Sequence, residues 1–260
     1  MKLRIASLVP SLTELVVELG LCDVLVARTG FCSHPADALR AVPKVGGTKD
    51  VNLAKLQRLA PTHVLVNIDE NRRETVDALC AWPNPPQIVV THPSAPQDNL
   101  ALVAQMRALF GAHPGVQECA DALTHALQHA LDLTQHDALP PQRVLYLIWR
   151  DPWMTVARDT YVARMLARIN WHTLPAVCGG DSGPARYPVL QGDEPWLTEV
   201  QYVLLSSEPY RFTTAHLGEA RRLCPNATAR LVDGEMLSWY GPRAVPGLRY
   251  LRQIASAAAQ

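Results

Sequence analysis

The chain has 260 residues, 48% of them hydrophobic and 18% charged, with 24 basic and 24 acidic side chains. Balanced charge leaves no electrostatic footprint for nucleic acid or an anionic membrane surface, so neither is expected as a partner. Apolar runs fall short of the ~18–20 residues a helix needs to cross a bilayer, and the length suits one large domain or two modest lobes.

The chain opens on a strand over residues 5–9 that passes through Pro10 into a helix over 13–20. Ser11 is expected to cap that helix, with Glu14 three residues on completing a capping box, and Gly20 to end it. A strand that feeds a helix N-terminus through a tight turn aims backbone N–H groups and a positive dipole end forward. Lys2 and Arg4 imitate the basic start of a secretory leader, but Glu14 and Glu18 interrupt the apolar stretch that a leader needs. The chain as written is expected to be cytoplasmic, and periplasmic if a leader has been removed.

Next come a strand over 24–28, a helix over 51–59 stopped by Pro61, a strand over 64–66, a helix over 72–80 and a strand over 87–90. Strands separated by helices predict parallel βαβ units. A helix over 98–110 follows, then one long helical pattern from Pro114 to about His136, with apolar spacing at Val116, Cys119, Leu123, Leu127 and Leu131. Such a helix is about 30–35 Å long. Alternation then resumes: strands over 144–149, 202–206 and 229–232, and helices over 160–169, 215–222 and 244–258. The expected domains are an N-terminal α/β lobe over 1–95, a linking helical segment over 96–139 and a C-terminal α/β lobe over 140–260. The six cysteines are scattered and form no C-x-x-C pair, so reduced, mostly buried thiols are expected.

The opening unit, the stretches Val45-Gly-Gly-Thr-Lys-Asp-Val-Asn-Leu53 and Leu59-Ala-Pro-Thr-His-Val-Leu-Val66, and the two-lobe layout carry a resemblance over nearly the whole chain. The chain resembles the helical-backbone (class III) periplasmic substrate-binding proteins, in particular the cobalamin-binding proteins of ABC importers. The resemblance implies two Rossmann-like α/β lobes with parallel sheets, joined by one long backbone helix. It further implies a ligand cleft between the lobes, and small opening and closing motions. In cobalamin importers one exposed glutamate on each lobe docks the permease. Here Arg73 stands at the first position with Glu74 one residue displaced, and Gly241 stands at the second. An ABC permease is therefore the implied partner with both docking acids moved or absent, and a monomer is expected.

Parallel α/β sheets bind ligands at the carboxyl ends of their strands. The segments that follow the predicted strands hold Phe31, Trp149, Trp153, Tyr210, Phe212, Trp239 and Tyr240, in a chain only 6% aromatic. Aromatic faces suit a large flat ligand, because each ring buries much area at low entropic cost. A corrinoid or porphyrin fits, and cobalamin leads, held without covalent attachment. The expected ligand-binding residues are Phe31, His34, Trp149, Trp153, Glu208, Tyr210, Trp239, Tyr240 and Arg243. Cys32 and His34 are open as ligands to a cobalt ion or as a buried thiol beside a loop histidine, and no zinc-type spacing is present. His63, at the start of a strand, is expected to be structural. Asp69, Glu70, Glu208 and Glu235 read as rim carboxylates, with Glu208 and Glu235 set to bind ligand amides or brace a loop.

Gly179-Gly-Asp-Ser-Gly-Pro184 and Thr213-Thr-Ala-His216 imitate serine-protease motifs, but in reversed chain order and between α/β elements. No catalytic residue or resident metal is expected, and the reading is a non-enzymatic binding protein. Two alternatives keep the scaffold. One is an iron–siderophore or haem binder using Arg150, Arg211 and Arg243, or a cytoplasmic relative uncoupled from a permease. The other is an enzyme built on Glu208 or Glu235.

Overall fold

The computed structural model describes residues 2–135 and 139–257. The expected helix ends at His136 and Ala258, and residues 136–138 of the expected linking segment, lie outside the described residues. The chain divides into two compact units.

The first unit comprises residues 1–93, 99–127 and 240–243. Its sheet holds β1 (Ile5–Ser7), β2 (Leu25–Arg28), β3 (His63–Asn67) and β4 (Gln87–Thr91), in the order β2-β1-β3-β4 and parallel throughout. The crossover helices are α1 (Pro10–Glu18), α2 (Leu53–Arg58) and α3 (Arg73–Cys80). The central strands β1 and β3 are apolar runs covered on both faces, as parallel sheets require. Ala6, Val64 and Val66 pack with Leu56 and Leu79 of the helices to form the core. Asp98–Phe110 (α4) and Val116–Gln135 (α5) follow.

The start of α1 differs from expectation for a physical reason. Pro10, with its φ fixed near helical values, takes the first helical position and starts the helix early. Ser11 thereby becomes the second helical residue and is buried, and the N-cap is Val9 with no side-chain cap. Glu14 completes no capping box. The other end behaves as expected. Gly20 sits at φ +75°, its N–H donates to the Val17 carbonyl, and the Leu21 N–H donates to the Val16 carbonyl. This is the Schellman closure that a C-terminal glycine allows.

The second unit comprises residues 94–98, 128–239 and 244–260. Its sheet repeats the topology: β5 (Gln142–Leu147), β6 (Trp171–Thr173), β7 (Tyr202–Ser206) and β8 (Thr228–Val232) run parallel in the order β6-β5-β7-β8. Leu145, Leu147, Val203 and Leu205 of the central strands pack with Phe212, Ala220 and Cys224. The helices are α6 (Tyr161–Ala167), α7 (Leu217–Leu223), α8 (Gly234–Ser238) and α9 (Ala244–Ser256). Neither β6 nor α8 was expected. β6 is a three-residue edge strand whose Trp171 ring stacks on Tyr202 at 5.1 Å.

The thiols also depart from expectation. All six cysteines are free, but only Cys32 and Cys224 are buried, while Cys80 and Cys178 are exposed. Among the described residues no helix is long and apolar enough to cross a membrane.

Candidate functional site

In the first unit the loops at the carboxyl ends of β1, β2 and β3 are tied by a side-chain amide. Asn71 donates to the Leu8 and Thr48 carbonyls and accepts from the Asn67 N–H, fixing the loop after β3 against the loops after β1 and β2. Phe31 is 66% exposed in the loop after β2. Its ring lies against Gly47, where an added Cβ would come within 3.3 Å of the ring. The glycine leaves a seat that holds an apolar face open to solvent. Ile68 is exposed on the loop after β3.

Beside Phe31, Cys32 is buried and its sulfur accepts from Thr13 Oγ1 at 2.9 Å. Burial pushes its thiol above the ordinary range, so the thiolate that binds metal is disfavoured. His34 is half-buried. Among the described residues no group of three His, Cys, Asp or Glu side chains could hold a metal ion. His63 sits at the start of β3 with its ring edge-on to Phe110 at 5.2 Å, and burial lowers its basicity. That is the structural placement expected for it.

Asp69 faces His92 Nε2 at 3.3 Å, and its backbone carbonyl accepts from Lys49 Nζ at 2.7 Å. Tyr240 and Arg243 reach this unit from far along the sequence. Tyr240 is buried and its hydroxyl donates to Glu70 Oε1 at 3.4 Å. Burial, then the Glu70 charge, raises that phenol well above its ordinary range. Arg243 makes a two-pronged ion pair with Glu14, at 3.0 and 2.7 Å. Both residues, expected to touch ligand, are here engaged by groups of the first unit.

In the second unit Trp149 follows β5 and is 41% exposed, its ring edge-on to Tyr210 at 5.6 Å. Arg150 pairs with Glu219 at 2.6 Å. Trp153 is half-buried and stacks on the buried Phe212 at 6.0 Å. Arg211 is exposed. After β8, Asp233 caps α8 by accepting from the Met236 N–H. Glu208 then receives two hydrogen bonds on one oxygen, from Ser238 Oγ at 2.6 Å and from Trp239 Nε1 at 2.8 Å. Trp239 is only 8% exposed. Burial raises the Glu208 carboxyl above the usual carboxylate range. Glu235 is half-buried nearby and adds to that rise.

The expected aromatic residues therefore sort into two groups. Phe31 and Trp149 present open faces and Tyr210 a partly open one, whereas Phe212, Trp239 and Tyr240 are packed inside and Trp153 backs the loops. The two protease-like motifs are each engaged elsewhere. Asp159 accepts from the Gly179 and Gly180 N–H groups and shapes the glycine loop, and His216 closes the turn before α7. Sequence reasoning passed over Thr13, Asn71 and His92, and set His216 aside with the protease-like motif. The Thr-x-x-His spacing of the last, a variant of the capping box, was the one available signal.

No protein-family model matches the chain. A vitamin B12-binding protein from Photorhabdus laumondii is 26% identical over 195 residues, covering 75% of this chain and 64% of that protein. The chain thus spans just under two thirds of that relative's length. A vitamin B12-binding protein from Vibrio cholerae is 25% identical over 229 residues, covering 82% of this chain and 71% of the relative. Among solved structures, the periplasmic vitamin B12-binding protein of Vibrio cholerae superposes with a TM-score of 0.78 at 18% identity, covering 99% of this chain and 98% of that one. The periplasmic heme-binding protein of Vibrio cholerae gives 0.76 at 22% identity, covering 99% of each chain. The heme-binding protein of Roseiflexus sp. RS-1 gives 0.74 at 20%, covering 100% of each. The chain is thus similar in sequence to vitamin B12-binding proteins and carries the two-lobed α/β fold of the helical-backbone periplasmic substrate-binding proteins.

Proposed function

We propose that the protein is a non-enzymatic binding protein for a large tetrapyrrole-like ligand, cobalamin in the first place, taken up by the carboxyl-edge loops of its sheets. The observation that carries this reading is the sequence similarity to vitamin B12-binding proteins over most of the chain. The open aromatic faces of Phe31 and Trp149, with Tyr210 beside the latter, supply the flat apolar surface such a ligand needs. His34 lies in the same loop as Phe31. Trp153, Glu208 and Trp239 hold the second unit's loops in shape, and Tyr240 and Arg243 do so in the first.

Haem is the second reading, favoured by heme-binding structures that superpose nearly as well, at TM-scores of 0.76 and 0.74 against 0.78. Arg211, exposed at the carboxyl edge, is the group an anionic ligand would use. Capture in the periplasm belongs to the same proposal. An ABC permease is the proposed partner, with the docking acids displaced or absent: Arg73 and the buried Gly241 carry no carboxylate, and the exposed Glu74 stands next to the first position.

The test is a titration with aquocobalamin followed by visible absorbance and calorimetry, with haemin in parallel. Saturable one-to-one binding of aquocobalamin is expected, and a band shift would bring His34 or Cys32 into play as a cobalt ligand. Binding of haemin alone would move the assignment to haem, and binding of neither would overturn it.

A further inference from the structure

The Thr213-Thr-Ala-His216 segment has a use that the protease comparison hid. It is a capping box with histidine where glutamate or glutamine is usual. The Thr213 side chain accepts from the His216 backbone N–H, and the Thr213 backbone N–H donates to His216 Nδ1 at 2.9 Å. A backbone N–H can only donate, so Nδ1 presents its lone pair and the neutral ring carries its hydrogen on Nε2. Nε2 lies 3.2 Å from the Tyr210 hydroxyl oxygen, and the ring stands edge-on to both Tyr210 and Phe212. The Nε2–H therefore donates to the Tyr210 oxygen. Among the described residues His216 is the hydrogen-bond partner of that hydroxyl, so the phenol's own hydrogen is left for an acceptor outside the protein.

We infer that His216 is a positioning residue, and that it locks Tyr210 as a hydrogen-bond donor to an acceptor oxygen of the ligand, an amide carbonyl or a carboxylate. This rests on the reading above that the carboxyl-edge loops face the ligand. Tyr210 stands in the loop after β7 beside the open face of Trp149, where such an oxygen would meet it.

The experiment compares wild type, Tyr210→Phe and His216→Gln for cyanocobalamin binding at pH 8, repeated with haemin if haemin is the probe that binds. The His216 tautomer is read by long-range ¹⁵N NMR of the free protein. His216→Gln keeps the Thr-x-x-Gln capping box, so unchanged melting certifies its fold. Tyr210→Phe is expected to bind about tenfold more weakly at pH 8, the worth of one hydrogen bond. His216→Gln is expected to bind more weakly than wild type, because the Tyr210 hydroxyl loses the ring N–H that positions it. Equal affinity of wild type and Tyr210→Phe overturns the donor role, and a proton found on Nδ1 overturns the lock. Failure of wild type to bind either probe overturns the ligand reading and the donor role with it, while the tautomer still decides the lock.

Discussion

A carboxyl group that accepts two hydrogen bonds is usually pulled toward its charged form. At Glu208 burial outweighs the bonds from Ser238 and Trp239, and the nearby acids Glu235 and Asp233 push the same way as burial. The folded protein therefore holds this proton more tightly than the unfolded chain. Its contribution to stability is fully present below the ordinary carboxylate range and is lost as pH rises through the raised value. Glu208→Gln keeps an acceptor oxygen for Ser238 and Trp239 and cannot ionise. The melting temperature of the variant relative to wild type is thus expected to increase from pH 4 to pH 7, measured by circular dichroism. A difference that is flat across that range would show that Glu208 does not titrate over it. Cys224 follows the same physics, its buried thiol pushed up to about 12. Alkylation of native protein at pH 8 is accordingly expected to modify Cys80 and Cys178, the exposed pair, and to spare Cys224 and Cys32. Mass spectrometry of the labelled protein reads this directly, and early labelling of Cys32 or Cys224 would contradict the burial that sets both thiols.

Among the elements, α8 is short and depends on its first residue. A Cβ at Gly234 would overlap Ser206 Oγ and Glu208 Cγ, so α8 packs there because Gly234 has no side chain. Gly234→Ala is expected to cost about 2 kcal/mol, typical of overpacking a filled site, and urea unfolding would show it as a lower midpoint at unchanged slope. A midpoint equal to wild type would mean that β7 and α8 can part without cost. This helix was not legible in the sequence, because five residues with glycine at the first position carry too little periodicity to stand out from a loop. The longer elements were legible for the opposite reason. The 20-residue helix Val116–Gln135 repeats its apolar spacing long enough to outweigh a local signal. At α1 two local signals competed, and the fixed φ of Pro10 prevailed over the capping preference of Ser11. The aromatic residues show the limit more sharply. Chain order places Trp149 just after β5 and Trp239 just after α8, but which of them opens outward depends on the buried Glu208 acceptor that satisfies the indole N–H of Trp239. That partner is 31 residues away in the chain.

At the scale of the whole molecule, sequence and spatial organisation part company near the C-terminus. Residues 240–243 belong to the first unit, although the chain on either side of them belongs to the second. The bonds that hold this short segment include Tyr240 on Glu70, the Gly241 N–H on Asn99 Oδ1 at 2.5 Å, and Arg243 on Glu14. The last is the strongest, since the Arg243 and Glu14 side chains are only 12% and 19% exposed and meet at two points. Removing one partner strands the other charge in a poorly hydrated place, which costs several kcal/mol when burial is complete, so Glu14→Ala is expected to cost about 2–3 kcal/mol. Five of the six tryptophans, Trp149, Trp153, Trp171, Trp196 and Trp239, lie in the second unit. Tryptophan fluorescence therefore reports mainly on a unit that does not contain the mutated residue. If the covalent path through 240–243 makes the two units unfold together, Glu14→Ala lowers the urea midpoint equally by fluorescence and by far-ultraviolet circular dichroism. If circular dichroism shows an early phase while the fluorescence midpoint stays at the wild-type value, the first unit unfolds on its own and the segment is only a local clasp.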